Sequence, residues 1–154
     1  MKANKQLSDN LQAVLVDLIE LQIQGKQAHW NVVGTNFRDT HLILDEIIKS
    51  ARRLSDEVAE RMRALHAIPD GRTQTVVSST ALPPFPADQV DTKEVVALIT
   101  ERLDVAAGTC RRVHDEVDEA DPTSADILHA IIESLEQYSW LVNAETMKPR
   151  KRPA

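Results

Sequence analysis

Residues 29–61, HWNVVGTNFRDTHLILDEIIKSARRLSDEVAER, put five candidate metal ligands on two helices at a spacing that one chain cannot close around one ion. His41, Asp45, Lys49, Arg52, Asp56 and Glu60 follow steps of four, four, three, four and four. They therefore share one polar face of a helix. His41 and Asp45 sit one turn apart, as do Asp56 and Glu60, so each pair can converge on a cation. Asp45 and Asp56, however, are eleven residues apart, about 16 Å along a straight helix at 1.5 Å per residue. That exceeds the reach of one ion's ligand shell, and the two pairs are half-sites. Two such helices laid antiparallel across a two-fold axis bring the His41/Asp45 end of one to the Asp56/Glu60 end of the other, twice over. His29 lies near the end of the preceding helix, and the turn from Val33 to Asn36 brings it beside His41.

The completed set of two imidazoles and three carboxylates suits hard and borderline divalent ions, and the lack of thiolates argues against copper(I) and structural zinc. Iron(II) is the sharpest fit, while zinc or manganese can occupy the same ligands without turnover. Each residue also has a plainer reading. Any solvated helix rich in Asp, Glu, Lys and Arg carries i,i+4 pairs, and His29 alone reads as a hydrogen-bonded core histidine.

The flanking sequence is helical throughout. Leu7, Leu11, Val14, Leu18 and Leu21, continuing through Gly25 and Ala28, keep helical spacing to a stop near Val33 and Gly34. Thr35 or Asn36 caps a second helix that carries Leu44, Ile47, Ala51, Leu54, Val58 and Leu65 and stops before Pro69. Between Leu65 and Asp91 the pattern breaks, with Pro83, Pro84 and Pro86. So long a connection predicts a short helix within Thr73 to Ala81 and a crossover. A third long helix starts at Asp91 or Thr92 and buries Val95, Leu98, Ile99, Val105, Ala106, Cys110, Val113 and Val117. Asp121-Pro122 marks a stop and restart, and Thr123 with Asp126 has the form of a capping box. The last helix carries Ile127, Ile131, Leu135, Tyr138, Leu141 and Val142 and ends by Pro149. The expectation is an all-α chain, an antiparallel four-helix bundle closed by a long crossover containing a short helix.

With 154 residues and four glycines, the chain suits one domain over residues 1–154 with a modest core, and neither a barrel nor a Gly-rich nucleotide fold. Net charge is −6, but Lys148, Arg150, Lys151 and Arg152 fall within residues 148–154, which are expected to form a flexible basic tail. Without those four, 14 basic residues face 24 acidic ones, a body that attracts cations and repels nucleic-acid phosphates. No stretch approaches the length of a membrane span, and MKANKQLSDN has no signal-peptide core, so a cytoplasmic address is expected. Cys110, the single cysteine, reads as a buried small hydrophobe.

His29-Trp30-Asn31-Val32, Gly34, Phe37, His41, Asp45 and Asp56-Glu57-Val58-Ala59-Glu60-Arg61 resemble the signature of the Dps family, the DNA-binding proteins from starved cells. The likeness extends over the whole chain in helix order and length. It implies a ferritin-like subunit that assembles into a hollow homododecamer built from two-fold dimers, with a ferroxidase site at each end of every dimer interface. His29, His41 and Asp45 match the ligands from one subunit, and Asp56 and Glu60 match those that its neighbour supplies. The resemblance further implies oxidation of iron(II), by hydrogen peroxide in preference to dioxygen, followed by deposition of ferric mineral inside the shell. Trp30 and Trp140 match aromatic positions near the site. Trp30 is a candidate electron donor, and both tryptophans also read as core filler.

Asp115, Glu116, Asp118, Glu119, Asp121 and Asp126 cluster around the last interhelical turn, where three copies around a three-fold axis would make an acidic iron uptake route. A solvated helix end explains the same charges. His129 follows Asp126 by three residues, but a single Asp-x-x-His is not the paired Glu-x-x-His of larger ferritins. His66 and His114 have no partner at useful spacing. The basic tail offers DNA a sequence-independent, salt-sensitive contact if many copies are displayed together, which would make the protein nucleoid-associated. The competing function is a nucleoid-compacting shell whose ligand face holds a static ion.

Overall fold

The computed structural model describes residues 1–150, so Lys151 and Arg152 of the basic tail lie outside the described residues. In chain order the elements are α1 (Lys5–Asn31), β1 (Val32–Val33), α2 (Phe37–Ala64), α3 (Thr73–Ser79), β2 (Val90–Asp91), α4 (Thr92–Ala120) and α5 (Pro122–Asn143). The long helices α1, α2, α4 and α5 pack as a bundle, with α1 against α2 and α4, and α5 against α4 and α2. Their inward stripes of Leu11, Leu18, Leu21, Leu44, Leu54, Val58, Ile99, Leu103, Leu128 and Ile131 form one continuous core. Among the described residues no helix is long and apolar enough to cross a membrane.

The predicted short helix is α3, and it packs on α1. The crossover is held from beneath by Arg102, which is only 1% exposed. Its guanidinium donates to the carbonyls of Pro83 and Pro84 at 3.2 and 2.7 Å, to Leu98 O, and to Gln24 Oε1 at 2.6 Å. It also pairs with Glu101 and lies over the Phe85 ring, 5.2 Å from its centroid. Burial lowers the Arg102 pKa below the usual arginine range. On the other side Asp17, buried on α1, accepts from Thr80 Oγ1, the Ala81 amide and Thr109 Oγ1, so the connection is fixed at both of its halves.

Three details differ from the sequence expectation. Val32–Val33 pairs in parallel with Val90–Asp91, a two-residue ribbon that ties the α1–α2 turn to the start of α4. The first helix accordingly ends at Asn31, before Val33 and Gly34. The last long helix begins at Pro122 with Asp121 in the cap position, so Thr123 lies inside the helix and the Thr123/Asp126 capping box does not form. That helix also ends at Asn143, well before Pro149. Cys110 is buried as expected, and burial together with the Asp17 charge pushes its thiol up to about 12.

Candidate metal centre

Two close approaches position the histidines. At Gly25 the backbone of α1 comes so near α2 that a Cβ would lie 2.8 Å from Ile48 Cγ1. In the following turn Gly34 takes φ +116° and Asn36 takes φ 61°, left-handed conformations that Gly and Asn tolerate best. A Cβ on Gly34 would meet Asp91 Oδ2 at 2.7 Å, and Thr92 Oγ1 donates to Thr35 O at 2.7 Å. The chain can therefore reverse in a few residues, and α1 and α2 run back alongside each other.

The reversal brings His29 and His41 face to face. Their ring centroids are 3.6 Å apart with planes 23° from parallel. His29 Nδ1 lies 3.0 Å from His41 O, and His41 Nδ1 lies 3.0 Å from His29 O. A carbonyl oxygen only accepts, so both Nδ1 atoms carry hydrogen, and in the neutral rings both Nε2 atoms are left with lone pairs. This is the tautomer that a metal-binding imidazole needs, fixed by the backbone.

Asp45 stands beside them, with Oδ1 3.5 Å from His29 Nδ1. The same oxygen accepts from Lys26 Nζ at 2.7 Å. That hydrogen bond, opposed by partial burial and helped by the charges of Lys26 and Lys49, holds the Asp45 carboxyl below its ordinary range. Lys26 did not figure in the sequence reading. The available signal was its place three residues before His29 on the same helix, which makes the two neighbours on one face.

Asp56 and Glu60 are exposed near the other end of α2, on the same unbroken helix as His41 and Asp45. The structure thus brings together His29, His41 and Asp45 and leaves Asp56 and Glu60 apart from them. Among the described residues no three His, Cys, Asp or Glu side chains form a group able to hold a metal ion.

Trp30 and Trp140 are not core filler in the single chain, being 70% and 62% exposed. Ile23, Phe37 and Leu42, on the same two helices as the histidines, are also exposed. Among the acids near the last turn, Asp115, Asp118, Glu119 and Asp126 are exposed. Glu116 is exposed as well and accepts from Gln6 and Asn10 of α1. Asp121 is buried, and its carboxylate takes Arg61 Nη2 at 2.6 Å and the Ser124 hydroxyl. Burial alone would raise the Asp121 carboxyl, but the hydrogen bonds from Ser124 and Arg61 with the Arg61 charge outweigh it and hold it low. The expectation that His114 lacks a partner is wrong, because its Nε2 lies 2.7 Å from His129 Nε2. Residues 147–150, with Lys148 and Arg150, are exposed and outside any helix.

Comparison with known proteins agrees with this architecture. The ferritin-like domain family matches residues 8–150. A DNA protection during starvation protein of Deinococcus radiodurans is 34% identical over 87% of this chain, which spans 56% of that relative's length. One from Agrobacterium fabrum is 33% identical over 87% of this chain and 83% of its own. The solved structure of Dps from Microbacterium arborescens in the high iron form superposes with a TM-score of 0.88 at 29% identity, covering 95% of this chain and 98% of that one. A ferritin-like match over most of the chain, with relatives this similar along most of their own length, shows that this chain belongs to the Dps family.

Proposed function

We propose that the protein is a ferroxidase and iron-storage shell that oxidises iron(II), with hydrogen peroxide in preference to dioxygen, and mineralises iron(III) in a central cavity, protecting DNA from oxidative damage. The observation that carries this reading is the mutual bracing of His29 and His41. It leaves two imidazole lone pairs beside Asp45 while Asp56 and Glu60 stand about 16 and 22 Å further along the same helix. Such donors suit iron(II) as substrate, since imidazole and carboxylate together accept a borderline ion and stabilise the higher charge of its product.

In this reading each site is completed by Asp56 of the partner subunit and Glu60 of the partner subunit across a two-fold axis, and twelve chains close the shell. The exposed Ile23, Trp30, Phe37 and Leu42 support a covered surface there, because isolated soluble chains rarely leave so many large apolar groups open around one site. Two iron(II) ions give the two electrons that split one hydrogen peroxide into two hydroxides, which avoids releasing a hydroxyl radical. Trp30, adjacent to His29, is the proposed electron donor when only one iron is present. Asp115, Asp118, Glu119 and Asp126 are the proposed uptake acids. Asp121, engaged by Arg61, holds the turn, and Glu116, engaged by Gln6 and Asn10, ties α4 to α1, so both contribute local charge only.

DNA contact rests on the basic tail and on what the relatives are named for. Lys148 and Arg150, with Lys151 and Arg152, would bind phosphates without sequence preference in a cytoplasmic, nucleoid-associated shell, and raised salt should release them. The deciding experiment mixes two inactive variants. His41→Ala and Glu60→Ala each stop rapid iron(II) oxidation, and reassembled mixed shells regain part of it because some dimers then hold one intact site. No recovery in shells of native mass would overturn the shared site.

A further inference from the structure

We propose that His114 and His129 form a second metal site, contained within one chain, for a borderline divalent cation of the zinc(II) class. The two imidazoles come from α4 and α5, on either side of the Asp121 turn. Their Nε2 atoms lie 2.7 Å apart, with ring centroids 4.7 Å apart and planes 31° from parallel. At that separation one Nε2 carries a hydrogen and the other a lone pair.

The outer nitrogens assign them. His114 Nδ1 lies 3.0 Å from Asp115 Oδ1. An ionised carboxylate only accepts, so this nitrogen holds the proton and His114 Nε2 offers its lone pair. His129 Nε2 is then the donor, and its Nδ1 faces Asp126 Oδ1 at 3.8 Å, beyond hydrogen-bond reach. A cation that replaces the shared hydrogen needs only one rearrangement. The His129 proton moves from Nε2 to Nδ1, where Asp126 accepts it once the gap closes. Both rings stay neutral and no proton is lost. Each imidazole would then be backed by a carboxylate, the arrangement that orients histidines on metals.

The fit requires a small opening. Zinc–nitrogen bonds of about 2.0–2.1 Å in tetrahedral geometry place two nitrogens about 3.3 Å apart. His129 has the freedom to make that move, because its side chain is 60% exposed while that of His114 is 24% exposed. Asp115, Asp118 and Asp126 are exposed around the pair and favour positive charge, and Arg111 is paired to Glu136 on α5. Among the described residues no third His, Cys, Asp or Glu completes the group. Water fills the remaining positions, and paired imidazoles select zinc-like ions over magnesium or calcium. Unlike the α2 half-sites, this one needs no neighbouring subunit.

The test titrates zinc(II) calorimetrically into the assembled full chain and into shells of His129→Gln, His114→Gln and Glu60→Gln, with shell mass and helix content checked for each. One class of bound zinc disappears in both histidine variants and persists in Glu60→Gln, and Asp115→Asn weakens that class by about tenfold. Crystals soaked in zinc place an anomalous peak between the two Nε2 atoms. Zinc binding by His129→Gln that matches the unaltered protein in amount and affinity would overturn the site, as would a soaked crystal with zinc only elsewhere.

Discussion

His29 and His41 hold each other through two hydrogen bonds of equal length, each ring nitrogen Nδ1 donating to the other residue's main chain at 3.0 Å. The lock couples the last turn of α1 to the first turns of α2, so the orientation of either imidazole depends on the backbone beneath its neighbour. His41→Ala removes a proposed ligand and one of the two bonds. The expected result is a 10- to 100-fold slower initial oxidation of iron(II), of about the size seen when a ligand's support is lost. Stability should fall by only about 0.5–1.5 kcal/mol. Stopped-flow oxidation and thermal melting at fixed protein concentration check the two effects separately.

Lys26 competes with any cation for Asp45 Oδ1. Both side chains are more than one-third exposed or close to it, so the ion pair itself is modest. Lys26→Gln should tighten the first iron(II) bound by about two- to fivefold, the modest effect expected of a solvent-screened pair. Anaerobic iron(II) titration reads this directly, and unchanged or weaker binding would show that the ammonium does not oppose the metal.

Arg102 is a charge under a lid of carbonyls. Arg102→Met keeps much of the volume but strands Pro84 O and Gln24 Oε1 without their donor, while Pro83 O keeps the Gln24 amide. A loss of about 3 kcal/mol or more is expected. Hydrogen exchange should rise first across residues 80–90, before the long helices loosen.

Asp121 gives the fold an acid limit. Its carboxyl is held below the ordinary 3.8, so the stabilisation from Arg61 and Ser124 is fully present above that value. It is lost as pH falls through the lower folded value. Asp121→Asn should therefore cost about 1–3 kcal/mol at neutral pH. The gap from the unaltered protein should close on acidification below pH of about 4. Melting curves across that range test it, and a gap independent of pH would assign the loss to packing.

The long helices were legible because each keeps one apolar stripe for seven or so turns, and Leu11, Leu18, Ile47, Leu54, Ile99 and Ile131 all fall in the core where their spacing puts them. The short helix was legible from the broken pattern and prolines around it. The ribbon of Val32–Val33 with Val90–Asp91 was not, since two residues carry no period and their pairing joins distant segments. Arg102 was hidden for the opposite reason, because a charged residue at a core position reads as solvent until the carbonyls that satisfy it are seen. At the candidate centre, the nearness of His29 to His41 followed from a four-residue turn. The pairing of His114 with His129 did not, because it depends on how α4 and α5 are rotated about their axes. Trp30 could be read either way, since burial of an aromatic on a helix flank depends on what covers that flank.

The unbroken length of α2 also sets when chemistry can begin. On the proposed site, a newly made subunit holds imidazoles at one end of a stiff rod and its distal acids at the other, so it stays inert toward ferrous iron until it docks. Oxidation would thereby be confined to a finished container, with somewhere to put its rust, and a stray monomer would be a harmless bystander.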